Sequence, residues 1–270
     1  MAFDAKEFKR KVKMELSTRN GGNLRNKVNK IPQDQITIFI GLGGLGCRTV
    51  NAIKGVAEQK LDNSDRRFFL VVDTDKRALS DISESTVENL TSEAQHGWMT
   101  EDEKCSLFNE MNSYTVSTLP HDIDDWVNRA EMDTEVISGQ GAHAVRQIGR
   151  IMLFSKGNYD AVYEKISNVV EKAVAQRNSL PGSLQNGKIK VYIVAGISGG
   201  TGSGTVVDIS YMVRKILNQY TMATFGVEGV LFTPDVQEND KNMRDADRLK
   251  NKRNFYAAIK EIDYFYHNRT

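Results

Sequence analysis

Two apolar runs in this chain each lead straight into a glycine cluster that opens a helical segment, and this repeated unit narrows the fold more than any other feature. Residues 36–40 (ITIFI) run into Gly41-Leu42-Gly43-Gly44-Leu45-Gly46, and a helix is expected over about residues 47–59. Residues 191–195 lead through Ser198 to Gly199-Gly200-Thr201-Gly202-Ser203-Gly204, with helical periodicity over residues 203–219. Strands apolar almost throughout, expected at 36–40, 68–72, 189–195 and 225–232, belong in a parallel sheet covered on both faces. The fold class is therefore α/β, a doubly wound, mostly parallel sheet with Rossmann-like topology. The helices at 158–177 and 203–219 carry wide apolar faces, Val162, Ile166 and Val169 on one and Val206, Ile209 and Val213 on the other. Such stripes are core packing.

A glycine-rich turn where a strand hands over to a helix presents unblocked backbone N–H groups and the positive end of a helix dipole, which together make an anion site. Thr201 and Ser203 add hydroxyls, and a side chain at Gly202 is expected to fill the anion's space while sparing the fold. Alone, the first cluster is a G-x-G-x-x-G, and the following strand ends at Asp73, where a dinucleotide site places its ribose ligand. A Rossmann enzyme binding NAD(P) is thus the rival reading. It leaves the second cluster idle, whereas a nucleoside triphosphate lying across the end of the sheet uses both. A Walker-type NTPase is excluded, because no Gly-Lys is followed by Ser or Thr, and Gly187-Lys188 runs into Ile189. Plainer readings stand beside these. Turn geometry alone explains Gly41, Gly43, Gly44 and Gly46, Asp73 and Asp75 are good helix caps, and Asn254 is an ordinary helix-start residue. Cys47, at a helix N-terminus beside the loop, either has a lowered thiol pKa or is a small buried packing residue.

Four segments in sequence order resemble the nucleotide loops of the tubulin and FtsZ family. They are Gly41 to Gly46, Asp73-Thr74-Asp75, Gly139-Gln140-Gly141-Ala142-His143-Ala144, and Ser198 to Gly204, the last resembling the family's G-G-x-T-G-[ST]-G signature. The resemblance implies GTP with Mg²⁺ held on Gly41, Gly43, Gly44 and Gly46 and on Ser198, Gly199, Gly200, Thr201, Gly202, Ser203 and Gly204. It places Asp73, Thr74, Asp75, Gly141, Ala142 and His143 near the γ-phosphate, with Asp73 and Asp75 on the metal. His143 stands where the family usually has a glycine. Asn254 opens a helix similar to the family's Y-N-A helix and is assigned to the nucleotide. A bacterial, cytoplasmic, polymerising GTPase follows from the resemblance, its hydrolysis completed by an acidic loop of a neighbouring subunit. A non-polymerising nucleotide switch is the alternative. Residues 36–270 read as the nucleotide-binding domain and 76–138 as an insertion. The family's later elements, including that acidic loop, are expected beyond Thr270, so this chain is expected to bind GTP, turn it over slowly and assemble only as part of a longer chain.

Composition removes other classes. Cys47 and Cys105 lack C-x-x-C spacing and the four histidines are scattered, so neither a zinc site nor a disulfide framework is written in the sequence. That usage suits a reducing compartment, and no apolar run is long enough to span a membrane. The net charge of +1 hides a basic extension, residues 1–35, whose first 30 residues hold nine basic and three acidic side chains. Such an arm suits nucleic acid or an acidic surface, yet the simpler reading is a solvated extension with a thin apolar stripe of Phe8, Val12 and Leu16.

Overall fold

A computed structural model of the chain describes residues 35–60, 64–82, 98–107, 114–115, 126–128, 136–137, 141–155, 157–182, 188–220, 223–238 and 243–268. The basic segment with its apolar stripe, and Gly139 and Gln140, lie outside them.

Strands β1 (Thr37–Leu42), β2 (Arg67–Asp73), β3 (Lys104–Ser106), β6 (Ile189–Gly196) and β7 (Phe225–Phe232) form one all-parallel sheet in the order β3-β2-β1-β6-β7. Two short strands, β4 (Tyr114–Thr115) and β5 (Val136–Ile137), pair antiparallel in a separate sheet. The helices are α1 (Gly43–Lys60), α2 (Lys76–Ser80), α3 (Arg146–Phe154), α4 (Asn158–Ser179), α5 (Thr201–Leu217), α6 (Asp235–Glu238) and α7 (Asp245–His267).

Side chains alternate across the sheet because successive Cβ atoms point to opposite faces. Ile38, Ile40, Leu70, Val72, Val191 and Ile193 join Ile148 of α3, Ile166 of α4 and Ile209 of α5 in one core. Phe69, Val71 and Val194 join Cys47, Val50 and Ala57 of α1 in the other, with Phe39 and Tyr192 packed against them. Three aromatics in cross-strand register tie that second face together: Phe39 stacks on Phe69 at 5.7 Å and on Tyr192 at 5.5 Å between ring centroids. Each fully buried aliphatic side chain contributes about 1.5–3 kcal/mol relative to exposure, so two such cores hold the sheet from both sides.

The doubly wound α/β class expected from the apolar runs is the one observed. Two details differ. The stretch read as an insertion contributes β3 to the main sheet; three residues, Lys104-Cys105-Ser106, carry no periodic signal. Helix α1 begins at Gly43 rather than near Cys47, and α5 at Thr201 rather than Ser203, so both helices start inside the glycine clusters.

The sheet order reverses at the β1–β6 pair, since the chain runs outward through β2 and β3 and then returns to the other side of β1. Open sheets of this kind bind ligands beyond the carboxyl ends of the strands at such a reversal.

Candidate functional site

A cleft of about 310 Å³ lies at that point, beyond the ends of β1, β2 and β6. Four segments separated in sequence line it: Gly43 and Gly44, Asp73 to Asp75, Gly141 to Ala144, and Ser198 to Gly202. Helices α1 and α5 both begin on it, and neither carries an acidic residue in its first turn. Gly200 gives α5 no side-chain cap. The first-turn N–H groups and positive dipole ends of two helices therefore face one space.

The glycines do different jobs. A Cβ at Gly41 would stand 2.7 Å from the Gly46 carbonyl oxygen, and one at Gly46 would strike the carbonyl of Val194. These two glycines press α1 onto β1 and β6 and do not line the cleft. A Cβ at Gly202 would stand 2.6 Å from the Gly196 oxygen and 3.0 Å from the Leu42 oxygen, both backbone atoms at the strand ends. The expectation that a side chain there enters the ligand's space and spares the fold is thus corrected: Gly202 is what lets α5 seat against β1 and β6. Gly204 likewise faces the Arg146 carbonyl. Gly43 has φ of +69°, which favours glycine whatever space is available. Gly199 differs from all of these. A Cβ at Gly199 meets nothing within 4 Å, and its φ is not positive.

At the base of the cleft Asp73 is only 2% exposed. Its Oδ1 accepts from the Thr74 amide at 2.7 Å and the Asp75 amide at 3.3 Å. Its Oδ2 is buried without a partner. Burial raises its pKa from 3.8 to about 6, with the Asp75 and Thr74 amides pulling the other way and the Thr201 hydroxyl, which is shared with Thr74 and makes no hydrogen bond to Oδ2, adding a smaller pull through proximity. The Thr74 and Thr201 hydroxyls share a hydrogen bond of 2.6 Å, which joins the end of β2 to the start of α5 across the floor. Asp75 Oδ1 accepts from the Arg77 and Ala78 amides and caps α2, the plainer of its two readings. No cluster of three or more His, Cys, Asp or Glu residues suited to a metal occurs among the described residues. A Mg²⁺ that takes its other ligands from phosphate and water needs only one or two carboxylates, and the bare Oδ2 of Asp73 fits that demand.

Residues 38–270 match the family model described as tubulin like. The chain belongs to the tubulin-like family. No curated protein sequence matches it. Among solved structures, the GDP-bound CetZ1 monomer of Haloferax volcanii is 15% identical, over 84% of this chain and 48% of that one, with a TM-score of 0.36. A mutant FtsZ of M. jannaschii is 16% identical over 94% and 48%, with a TM-score of 0.39. A GTPγS-form protofilament of TubZ from Bacillus thuringiensis serovar israelensis is 14% identical over 86% and 42%, with a TM-score of 0.42. This tubulin-like chain spans less than half the length of each of those proteins.

Several residues sit differently from their sequence reading. Ser203, Gly204 and Asn254 do not line the cleft of the tubulin-like domain. The Ser203 hydroxyl donates back to the Gly199 carbonyl, and Gly204 is a packing contact. Asn254 spends its amide on the backbone of two cleft loops rather than facing the cavity. Cys47 is wholly buried, its thiol donating to the Val72 carbonyl at 3.5 Å. Burial, and then the Asp73 charge, push that thiol well above its usual pKa, so the lowered value expected from the helix end is overturned and the packing role stands. Arg48 went unnoticed in the sequence. It follows Gly44 by one helical turn, its guanidinium reaches back to within 3.5 Å of the Gly44 Cβ position, and it is exposed on the cleft wall. Its sequence signal is one surface arginine among many.

Proposed function

We propose that this chain binds GTP together with Mg²⁺ in the β1–β6 cleft and, as part of an assembling tubulin-like protein, positions the γ-phosphate for hydrolysis. The observation that carries this reading is the buried, partnerless Oδ2 of Asp73 in a cleft walled by two helix N-termini free of acidic residues. First-turn amides of α1 and α5 and the open backbone at Gly199 and Gly200 would cradle the phosphates, and Gly141 to His143 would close over the terminal one. Asp73 would hold Mg²⁺, with Asp75 beside it, and the metal supplies positive charge that offsets the phosphates. Positioning is the chain's contribution, because phosphoryl transfer needs orientation and electrostatic stabilisation more than covalent help. We take the activating acidic group to come from a neighbouring subunit, in a cytoplasmic filament. Preference for guanine rests on the family. The Rossmann alternative needs one glycine helix and a ribose displayed to Asp73, whereas here two helices border the same cleft and Asp73 lies beneath it.

Gly199→Val should test the reading cleanly, since its side chain enters open space. GTP-Mg²⁺ affinity is expected to fall about 100-fold with circular dichroism and thermal midpoint unchanged. Calorimetric titration of the wild type with GTP, ATP and NADH decides the ligand class. Micromolar NADH binding without GTP binding would defeat the proposal, as would normal GTP binding by the valine variant.

Arg48 is the cation best placed to reach the phosphates. Losing a charge-assisted hydrogen bond costs about 1.5–3 kcal/mol, so Arg48→Gln should weaken GTP about tenfold or more. The same loss is expected for inorganic tripolyphosphate as competitor. An unchanged tripolyphosphate affinity would show that Arg48 touches another part of the nucleotide or none.

A further inference from the structure

Two residues of the cleft wall hold a backbone conformation that side chains disfavour. His143 and Ala144 have φ of 44° and 56°. The Val145 amide donates to the Ala142 carbonyl oxygen at 2.7 Å, closing a four-residue turn around them. Two central residues with positive φ make this a turn of the type I′ kind, which favours Asn-Gly and here receives His-Ala. Such a turn persists only when its surroundings hold it.

Helix α7 does the holding. Asn254 Nδ2 donates to the Ala144 carbonyl at 2.7 Å and to the Ser198 carbonyl at 3.0 Å, with the Gly199 carbonyl at 3.5 Å. One helical turn earlier, Lys250 Nζ donates to the His143 carbonyl at 3.0 Å. Residues four apart share a helix face, so both contacts come from one side of α7. Both carbonyls of the strained pair are captured, and the Asn254 amide grips the second cleft loop as well. All of its partners are acceptors, so only the NH₂ end of the side chain suits the site.

We propose that Asn254 and Lys250 are positioning residues: a latch through which α7 holds the His143–Ala144 turn against the Ser198–Gly200 loop, so that the position of α7 and the grip on the ligand are coupled. The latch stands on geometry alone; its consequence for GTP rests on the functional reading above.

Strain gives a test that simple loss of packing cannot imitate. Asn254→Ala should speed exchange of the Val145 amide hydrogen about tenfold and weaken GTP-Mg²⁺ about tenfold, chiefly through faster release. Ala144→Gly relieves one of the two strained residues, because glycine takes positive φ freely, so in that background Asn254→Ala should cost less than in the wild type, about threefold in each readout. Asn254→Asp, which sets a carboxylate against carbonyl oxygens, should be worse than Ala. Lys250→Met, at a half-buried position, should act in the same direction with the fold intact. Unchanged Val145 exchange in Asn254→Ala would overturn the latch, and so would an equal loss in both backgrounds. If exchange responds as expected while the wild-type chain takes up no GTP, the latch stands and the nucleotide reading falls.

Discussion

Gly202→Val is expected to cost the domain about 4 kcal/mol or more, showing as a collapse of the thermal transition and not as a folded protein with an empty cleft. Its side chain has nowhere to go. The Cβ alone falls 2.6 Å and 3.0 Å from the carbonyl oxygens of Gly196 and Leu42, backbone atoms fixed by the β1–β6 pairing. Helix α5 must lift off the sheet, taking with it Val206, Ile209, Val213 and Ile216 from the larger core. Gly199→Val, three residues away, is the control with the opposite outcome. Denaturant melts of the two variants side by side should separate them. A Gly202→Val protein as stable as wild type would show that α5 can seat without this contact.

Asp73→Asn is expected to make the ligand-free protein more stable at pH 7.5 while weakening GTP-Mg²⁺ by about 100-fold. Burial holds the folded pKa at about 6 against 3.8 for the free side chain. The folded state therefore binds this proton more tightly than the unfolded state does. The group's burden on stability is small below pH 4, grows as the pH rises from 4 to 6, and is level above that. At its full extent a shift of about two units corresponds to about 3 kcal/mol. Asparagine keeps an oxygen for the Thr74 and Asp75 amides and carries no charge to bury. Urea midpoints in EDTA should show the variant ahead at pH 7.5 and the gap closing as the pH falls to 4. Equal stability at pH 7.5 would show that the wild-type carboxylate is better solvated than its burial implies.

Much of the architecture was legible in the chain. The strands at 189–195 and 225–232 were readable because both runs are apolar almost end to end, and observed β6 and β7 match them closely, but only β6 is the covered strand that such a run implies; β7 is a half-exposed edge strand with no fully buried residue. Helix starts were less so. Glycine ordinarily weakens a helix, so Gly43, Gly44 and Gly202 read as loop, yet all three lie in helices, and at Gly202 the absent Cβ is what lets α5 begin against the ends of β1 and β6. Strand β3 was hidden because three residues carry no pattern. The roles of Asp73 and Asn254 depend on segments far away in sequence. Nothing local to Asp73 announces that one oxygen lies buried without a partner, and nothing near Asn254 points to a carbonyl 110 residues earlier.

The pairing that creates the cleft also sets the order of events at the ribosome. Thr37 is the register partner of Lys190, a separation of about 150 residues. At translation speeds of about 5–20 residues per second, β1 and the first glycine helix wait roughly 8–30 s for the strand that completes their site. Through that interval one long edge of β1, with Ile38 and Ile40 beside it, has no native neighbour. Until its second glycine helix arrives, a newborn chain of this design carries an open strand edge that other chains could pair with, and the cleft cannot exist before Gly202 has been made.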